Sequence, residues 1–386
     1  MARVDPDGGA RLRVCLVTAH LGNAYHATRA HGVRGAEVQY DLVSRALADR
    51  FEVHVVTSPP ESPGPIALPP GIQVHFVDPA WRTAKGRLRR FRLYARAFNA
   101  ALKEADARVY MQTVLGIDTT LTQRFCRRGG RRFVYHWASD ADLDRLTTPG
   151  HALTRHLYRR SRRAADLQVC QTELQQGLLS PAERARSAVV PNVLDTTVAW
   201  QAGTGKGTDV LWVGAIGPPF KRPDLFLDLV EALPHRPFRM VGPLRGAPNV
   251  VQAVRERAAR LPNLNLVGFL DKRADLPAQY AQARCHVSTS DYEGFPNTFL
   301  ESCASGVPVA SLRVDPNGML ERDGAGVCAS GDFAALVRGV ESMFEPAAWA
   351  ARRKAALAVA QAHHPTRIAE RFAACLERAA GVPRAP

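Results

Sequence analysis

The alternation of short apolar runs with helical segments is the feature of this chain that most restricts its fold. In the first half, runs rich in β-branched residues occupy 12–20, 51–58, 72–78, 107–114, 131–139, 167–172 and 187–193. Between them lie segments such as 36–49, in which apolar residues recur at helical spacing. Strands that are apolar on both faces and separated by helices indicate a parallel sheet covered by helices.

The alternation breaks once and then resumes. Residues 196–209 are polar, rich in glycine and without periodicity, which is typical of a linker. Further strands are predicted at 210–216, 238–244, 264–270, 285–290 and 307–312. The sequence therefore predicts an α/β protein with two doubly wound halves and a cleft between them, in which ligands bind beyond the carboxyl ends of the strands.

The charge of the chain suggests an anionic partner. The 386 residues have a formal net charge of +15, and residues 1–200 hold 29 Lys/Arg against 18 Asp/Glu. Such an excess is typical of proteins that bind nucleic acid, a membrane surface or a phosphorylated substrate, or it reflects an arginine-rich composition alone. No nucleic-acid-binding motif occurs, so we do not expect nucleic acid as a partner.

The cysteines and the apolar runs bear on localisation. The seven cysteines are odd in number and show no spacing of zinc ligands, which is typical of a reduced intracellular protein. No run is long enough for a signal peptide or a membrane span. We therefore expect a cytoplasmic protein.

The segment STSDYEGFPNTFLESCASGVPVAS at 288–311 carries the strongest chemical signal. Glu293 lies in a predicted turn between a strand and a helix, and Glu301 follows eight residues later on the helix. Gly294 lets a ligand approach the backbone, and Pro296 is typical of a helix start, where free N–H groups bind phosphate.

This segment closely resembles the EX7E signature of the family 4 retaining glycosyltransferases. The resemblance implies the GT-B fold, with two Rossmann-like doubly wound domains facing a central cleft. It also implies that Glu293 lies beside the sugar of a nucleoside diphosphate sugar and that Glu301 binds the ribose. The loop that would touch the sugar and the distal phosphate is formed by Gly294, Phe295, Pro296, Asn297 and Thr298.

The resemblance extends over residues 12–380 and implies a division of labour. Residues 1–195 would form the acceptor side, 196–209 the linker and 210–365 the donor side. The last helix, at 366–386, would cross back to the first domain.

Several other segments resemble donor-binding parts of the family. In WVGAIGPPFKRPDLFLDLVEAL, Gly214 follows the strand and Lys221 matches the lysine that binds the diphosphate. The expected arginine is absent because Ala215 stands in its place, so Arg222 or an arginine of the first domain would share the role.

Gly35 resembles the glycine of the family loop that faces the diphosphate, although any turn before a helix uses glycine. Phe269 and Leu270 are expected near the nucleotide base.

The segment RRFVYHWASDADLDRL at 131–146 offers residues for the sugar and the acceptor. His136 falls at a strand end, where the family often places a histidine near the reacting sugar; a buried core histidine is the alternative. Asp140 and Asp142 spell the DxD motif of a different, metal-dependent glycosyltransferase fold. Because the surrounding segments resemble GT-B, we expect no metal, and the two aspartates either cap a helix or bind the acceptor.

The basic segment 85–105 interleaves arginines with Leu88, Phe91 and other apolar residues. It predicts either an amphipathic helix that docks on an anionic membrane at the inner face, or a solvated basic face. A second cluster, at 155–163, allows the same two interpretations.

Together these segments predict a metal-independent, retaining hexosyltransferase without a bound cofactor. The donor is a nucleoside diphosphate sugar, and the acceptor is a hydroxyl of a glycan, a glycolipid or a secondary metabolite. Two alternatives remain, a nucleotide-sugar epimerase of the same fold and a non-catalytic protein that binds a sugar nucleotide or a lipid.

Overall fold

A computed structural model of the protein describes residues 11–26, 35–61, 64–140, 152–201, 207–270 and 274–381. The chain divides into two compact units. Unit 1 comprises Met1–Val193 and Pro365–Pro386, and unit 2 comprises Leu194–His364. The change of unit at Leu194 lies two residues before the predicted linker, 196–209, whose last residue, Asp209, already belongs to a strand.

Unit 1 is built on a sheet of seven parallel strands. They are β1 (Arg13–Val17), β2 (Glu52–Thr57), β3 (Ile72–Phe76), β4 (Val109–Thr113), β5 (Arg132–His136), β6 (Leu167–Cys170) and β7 (Ser187–Val189). Their order in the sheet is β3-β2-β1-β4-β5-β6-β7. The chain therefore reverses its direction of progress between β1 and β4, and a crevice opens beyond the carboxyl ends of these two strands.

Helices cover both faces of this sheet. They are α1 (Gly35–Leu47), α2 (Arg87–Ala105), α3 (Ile117–Arg128), α4 (Ala152–Arg163), α5 (Glu173–Gly177) and α6 (Pro181–Arg184). Side chains alternate along β1, so Val14 and Leu16 pack into one core while Cys15 and Val17 pack into the other. Burial on both faces explains why the strands read as continuous apolar runs.

Unit 2 repeats the architecture with six parallel strands. They are β8 (Asp209–Val213), β9 (Phe238–Val241), β10 (Leu264–Gly268), β11 (Ala283–Ser288), β12 (Val309–Ser311) and β13 (Gly326–Cys328), in the order β10-β9-β8-β11-β12-β13. Here the reversal falls between β8 and β11. The sequence did not predict β13, because Val327 is the only β-branched residue in GAGVCASG at 324–331.

The helices of unit 2 are α7 (Pro223–Ala232), α8 (Pro248–Ala258), α9 (Leu276–Ala281), α10 (Asn297–Ala304), α11 (Phe333–Ser342) and α12 (Pro346–Ala362). The last helix of the chain, α13 (Pro365–Ala380), belongs to unit 1. Its Ile368 and Phe372 lie in the same core cluster as Tyr40 of α1. The guanidinium of Arg108 donates to the carbonyl of Ala380 at 2.7 Å and fixes the end of the helix.

The basic cluster on α4 is only partly a surface feature. Arg162 is buried, forms an ion pair with Glu183 at 3.1 Å and lies 4.9 Å from the Trp137 ring centroid. It also donates to Gln168 at 3.0 Å. The prediction of one exposed basic cluster at 155–163 is therefore wrong for Arg162, which is a partnered cation of the interior. Within the described ranges, no helix is both long and apolar enough to span a membrane.

Candidate active site

The loops that follow β8 and β11 in unit 2 are joined by three hydrogen bonds. The amide of Asp291 donates to the carbonyl of Phe220 at 2.8 Å, and the Thr289 hydroxyl donates to the carbonyl of Lys221 at 2.9 Å. The indole N–H of Trp212, on β8, donates to the Thr289 hydroxyl at 3.1 Å. These bonds hold the segment around Lys221 against the turn that contains Glu293.

Lys221 and Glu293 form an ion pair at this position. The ammonium of Lys221 donates to Oε1 of Glu293, and the Ser290 hydroxyl donates to the same oxygen at 2.8 Å. Both side chains are largely buried, with exposed fractions of 20% and 15%. A pair that is shielded from water interacts more strongly than a surface pair. The two residues predicted to serve the donor are therefore in contact, and Ser290 is a further member of the cluster.

Arg222 lies beside this pair but its guanidinium is engaged elsewhere. It contacts both carboxylate oxygens of Asp224, with Nη2 to Oδ2 at 2.7 Å, and reaches Asp291 at 3.5 Å. Its backbone is in the left-handed region with φ 47°, where the preceding turn ends and α7 begins. Asp224 also raises the pKa of Arg222, so this residue stays a cation at the start of the helix.

The second glutamate of the motif lies on α10. The helix begins at Asn297 after Pro296, and no acidic residue occupies its first turn. Glu301 is buried and accepts a hydrogen bond from the Tyr280 hydroxyl at 3.2 Å. Burial and the neighbouring carboxylate raise the pKa of Tyr280, so its hydroxyl stays a donor. Within the loop before the helix, Phe295 is buried and packs on His363 at 4.9 Å.

The loop after β8 also packs closely against the loop after β9. The amide of Ile216 donates to the carbonyl of Pro243 at 2.9 Å. A Cβ atom on Gly217 would collide with the Arg245 carbonyl, and one on Gly242 would collide with the Gly214 carbonyl. Glycine is therefore required at both contacts. The contact brings the backbone of Arg245 beside the loop in which Ala215 replaces the expected arginine.

The two residues predicted near the nucleotide base differ in their surroundings. Phe269 is 63% exposed and presents an apolar ring just after β10. Leu270 packs on the cluster that contains Val241 and Tyr280. Gly268, with φ 80°, ends the strand and lets the chain turn between these environments.

His136 is the last residue of β5 in unit 1, and its ring is 2% exposed. It stacks on Tyr40 with centroids 5.6 Å apart and meets the edge of Phe372 at 5.4 Å. In the described part of the chain neither ring nitrogen has a hydrogen-bond partner. Burial lowers its pKa to about 3, so the ring is neutral near pH 7. This setting favours the alternative of a core histidine over a group that touches the sugar.

The remaining predicted residues of unit 1 lie in less informative settings. Asp140 accepts a hydrogen bond from Gln175 at 2.9 Å, a contact that ties the end of β5 to α5. Asp142 lies outside the described residues. Gly35 is the first residue of α1, and the loop before it, 27–34, also lies outside them. Within the ranges that can be described, no group of His, Cys, Asp and Glu is arranged to hold a metal ion.

Unit 1 contains a cavity of about 590 Å³ that the sequence did not predict. It opens beyond the carboxyl ends of β1 and β4, where the strand order reverses. Asp118 and Tyr94 lie in its wall, and the Tyr94 hydroxyl donates to the Asp118 carboxylate at 2.5 Å. Burial raises the pKa of Asp118 to about 6, although the hydrogen bond from Tyr94 favours the ionised form.

The backbone is strained at this cavity. Val114 follows β4 with φ 65°, a conformation that a β-branched residue rarely adopts and that costs about 1–3 kcal/mol. Its carbonyl accepts from the Gln112 side chain at 2.8 Å. Strain of this kind persists where the surrounding structure imposes it, and it accumulates at binding sites.

Comparison with known proteins is consistent with this picture. Residues 207–345, most of unit 2, match the protein-family profile described as Glycosyl transferases group 1. The Anabaena protein Alr3699/HepE, solved in complex with UDP and glucose, superposes with a TM-score of 0.70 at 16% sequence identity. The superposition covers 95% of this chain and 99% of HepE.

Two further structures are similar over the same extent. Sucrose-phosphate synthase from Thermosynechococcus elongatus gives a TM-score of 0.76 at 17% identity, covering 95% of this chain and 99% of the synthase. WaaG, a glycosyltransferase involved in lipopolysaccharide biosynthesis, gives 0.66 at 16% identity, covering 94% and 99%. A search of curated protein sequences found no match.

The class of the protein follows from these observations. Two parallel-sheet, Rossmann-like units, each with one reversal of strand order, define the GT-B fold. The region that carries Lys221, Glu293 and Glu301 matches the profile of the group 1 glycosyl transferases, and this match covers about a third of the chain.

Proposed function

We propose that the protein is a retaining glycosyltransferase that moves a hexosyl group from a nucleoside diphosphate sugar to an acceptor hydroxyl. The observation that carries the proposal is the cluster of Lys221, Glu293 and Ser290 beside the start of α10, within the region that matches the family. Structures of HepE with UDP and with UDP-glucose support a nucleoside diphosphate sugar as donor.

In this proposal, the charged groups of unit 2 serve the two ends of the donor. Lys221 and the first-turn amides of α10 bind the diphosphate, and Arg222 joins them by exchanging its contact with Asp224. Glu293 holds the sugar hydroxyls once Lys221 turns towards phosphate. Glu301 accepts the ribose hydroxyls, with Tyr280 fixing its position.

The chemical step needs no nucleophile from the protein. The bond between the anomeric carbon and the distal phosphate oxygen breaks, and the acceptor oxygen bonds to that carbon on the same face. The acceptor proton passes to the departing phosphate oxygen, and a nucleoside diphosphate leaves. The contribution of the protein is to stabilise the charge that develops on the diphosphate, which is the largest catalytic effect for such a step.

The experiment is a thermal-shift screen of nucleotide sugars, followed by turnover with the donor that stabilises the protein. Binding by a single donor raises the melting temperature by an amount that grows with the logarithm of its affinity, and it identifies base and sugar together. Product analysis by NMR should then show the donor's anomeric configuration. An isomerised donor sugar would instead identify an epimerase, and donor binding without turnover would identify a non-catalytic binding protein.

We also propose that transfer is independent of a metal ion, because Lys221, Arg222 and the start of α10 supply positive charge at the diphosphate. Turnover should then survive EDTA. Full loss in EDTA that Mg²⁺ or Mn²⁺ restores would contradict this and would direct attention to Asp140 and Asp142.

A peripheral contact with the inner face of the cytoplasmic membrane completes the proposal. Leu88 and Phe91 are 62% and 43% exposed at the start of α2, among five arginines. Apolar side chains within a basic helix favour anionic lipid surfaces.

Flotation with phosphatidylglycerol vesicles should recover the protein, and Leu88→Ser should weaken this recovery. Leu174→Ser, at an equally exposed leucine on α5, serves as the control. Equal recovery on neutral phosphatidylcholine vesicles would contradict the proposal.

A further inference from the structure

The cavity of unit 1 has a continuous wall that runs from a cation to a carboxylate. The guanidinium carbon of Arg90 lies 5.4 Å from the Trp81 ring centroid. Trp81 meets Tyr94 edge to face at 4.9 Å, and the Tyr94 hydroxyl donates to Asp118 at 2.5 Å. Each of these residues contacts the next, so the wall has a cation at one end and a carboxylate at the other.

Two arginines form the cationic end of the cavity, and they favour an anionic ligand. Arg87 and Arg90 both line the cavity and lie in the first turn of α2, which contains no acidic residue. Among the residues that the structure describes, neither arginine forms an ion pair with a carboxylate. The N-terminus of the nineteen-residue helix adds its partial positive charge to theirs. Two guanidinium groups so placed favour a phosphate or a carboxylate.

The middle and the far end of the cavity favour other groups. The rings of Trp81, Phe91 and Tyr94 offer an apolar surface for a ring or an alkyl chain. Asp118 and Glu37 are both buried at the cavity wall, where a carboxylate accepts a hydrogen bond from a hydroxyl. A volume of about 590 Å³ is that of a site for a small organic molecule.

We infer that this cavity binds the acceptor, and that the acceptor is an organic phosphate or carboxylate with an apolar or ring-shaped body. The anionic group lies at Arg87 and Arg90, the body packs on Trp81 and Tyr94, and the hydroxyl that receives the sugar lies at Asp118. Naming the ligand an acceptor rests on the proposed function, but its binding does not.

Calorimetric titration of the full chain tests the inference without any donor. Phenyl phosphate should bind at least about tenfold more tightly than inorganic phosphate, which lacks the body, and than benzyl alcohol, which lacks the charge. Arg87→Gln and Arg90→Gln should each weaken phenyl phosphate binding about tenfold and leave benzyl alcohol binding unchanged.

The matched control is Arg92→Gln. Arg92 is an exposed arginine of the same helix that does not line the cavity, so its replacement should leave phenyl phosphate binding unchanged. Phenyl phosphate that binds no better than inorganic phosphate would overturn the inference. So would an Arg92→Gln effect equal to that of Arg90→Gln, because binding would then follow net charge alone.

Vesicles containing phosphatidic acid distinguish the two sources of such a ligand. Vesicle binding that phenyl phosphate displaces supports the inference with a lipid-borne phosphate, and phenyl phosphate binding without vesicle binding supports it with a free small molecule. If nucleotide sugars bind and phenyl phosphate does not, the inference fails while the proposed function stands. If phenyl phosphate binds and no nucleotide sugar does, the proposed function fails instead.

Discussion

Both sheets reverse their strand order once, but the loops beyond the two reversals carry different side chains. In unit 2, the loops beyond β8 and β11 are filled by the ion pair of Lys221 with Glu293 and by the contact of Arg222 with Asp224. In unit 1, the loops beyond β1 and β4 leave a cavity lined largely by aromatic and apolar side chains. The doubly wound sheet therefore fixes where a ligand binds, and the side chains of the loops fix which ligand it is.

The buried histidines of the two sheets, in contrast, have closely similar surroundings. His136 on β5 lies between Tyr40 and Phe372, and His286 on β11 meets Tyr280 and Phe299 edge-on. In the described residues, none of their ring nitrogens has a partner. Burial lowers the pKa of each to about 3, and for His286 the charge of Lys221 contributes. The units therefore differ at their loops far more than in their cores.

The largest effect on turnover should come from removing the ammonium group of Lys221. Lys221→Ala should lower turnover by about 10²–10³, because the leaving diphosphate loses a group that stabilises its developing charge. Steady-state kinetics with the donor identified by thermal shift measures this. Lys354→Ala, at an exposed lysine of α12, is the control and should retain normal turnover. Near-normal turnover in Lys221→Ala would show that another cation, such as Arg222 or Arg245, serves the diphosphate.

A smaller effect, on donor binding, is expected from replacing the buried carboxylate of Glu301. Glu301→Ala should weaken donor binding about 10–100-fold, the value of one or two hydrogen bonds to a charged group. Tyr280→Phe removes the hydroxyl that donates to Glu301 and to the Thr298 carbonyl but leaves the carboxylate in place, so it should weaken binding by less than tenfold. Calorimetry with the nucleoside diphosphate measures both. Unchanged affinity in Glu301→Ala would exclude its assignment to the ribose.

The sequence predicted the architecture because the fold depends on a pattern that the sequence displays directly. Strands buried on both faces read as apolar runs, and all twelve predicted runs form strands in two parallel sheets. The contact between Lys221 and Glu293 could be predicted from the sequence for a similar reason. Each residue follows a strand next to the reversal of strand order, so the topology brings them together.

The cavity of unit 1 could not be predicted from the sequence in this way. Its wall combines Trp81 from a short turn, Tyr94 from α2 and Asp118 from α3, and no two of them share a motif. Arg162 shows the same limit, because its partner Glu183 lies on a different helix and a local charge cluster does not reveal burial. Contacts between distant segments depend on packing, which periodicity does not encode.

Acidification tests whether the cores of the two units behave alike. The pKa of about 3 for each histidine lies below its unfolded value of about 6.5, so the unfolded chain binds more protons between these limits. Stability should therefore fall as the pH drops below about 6.5, by about 1.4 kcal/mol per pH unit for each histidine. Urea unfolding at pH 7, 6 and 5 measures this slope. His136→Phe and His286→Phe should each flatten it, and an unchanged slope in both variants would mean that neither ring is neutral and buried.

The smallest effect has the opposite sign and belongs to unit 1 alone. The pKa of Asp118, about 6, lies above its unfolded value of about 3.9, so the folded chain binds more protons between these limits. Its contribution to stability should fall as the pH rises from 4 to 6, and the loss should persist at pH 7.

Asp118→Asn keeps an acceptor for Tyr94 and removes the charge, so it should raise the free energy of unfolding at pH 7 by about 1 kcal/mol. Asp140→Asn, at a half-buried aspartate after β5, is the control and should not stabilise the protein. A destabilised Asp118→Asn would mean that neighbouring groups compensate the charge of the carboxylate, and the cavity would then resemble the ion-paired loops of unit 2 more than its aromatic wall indicates.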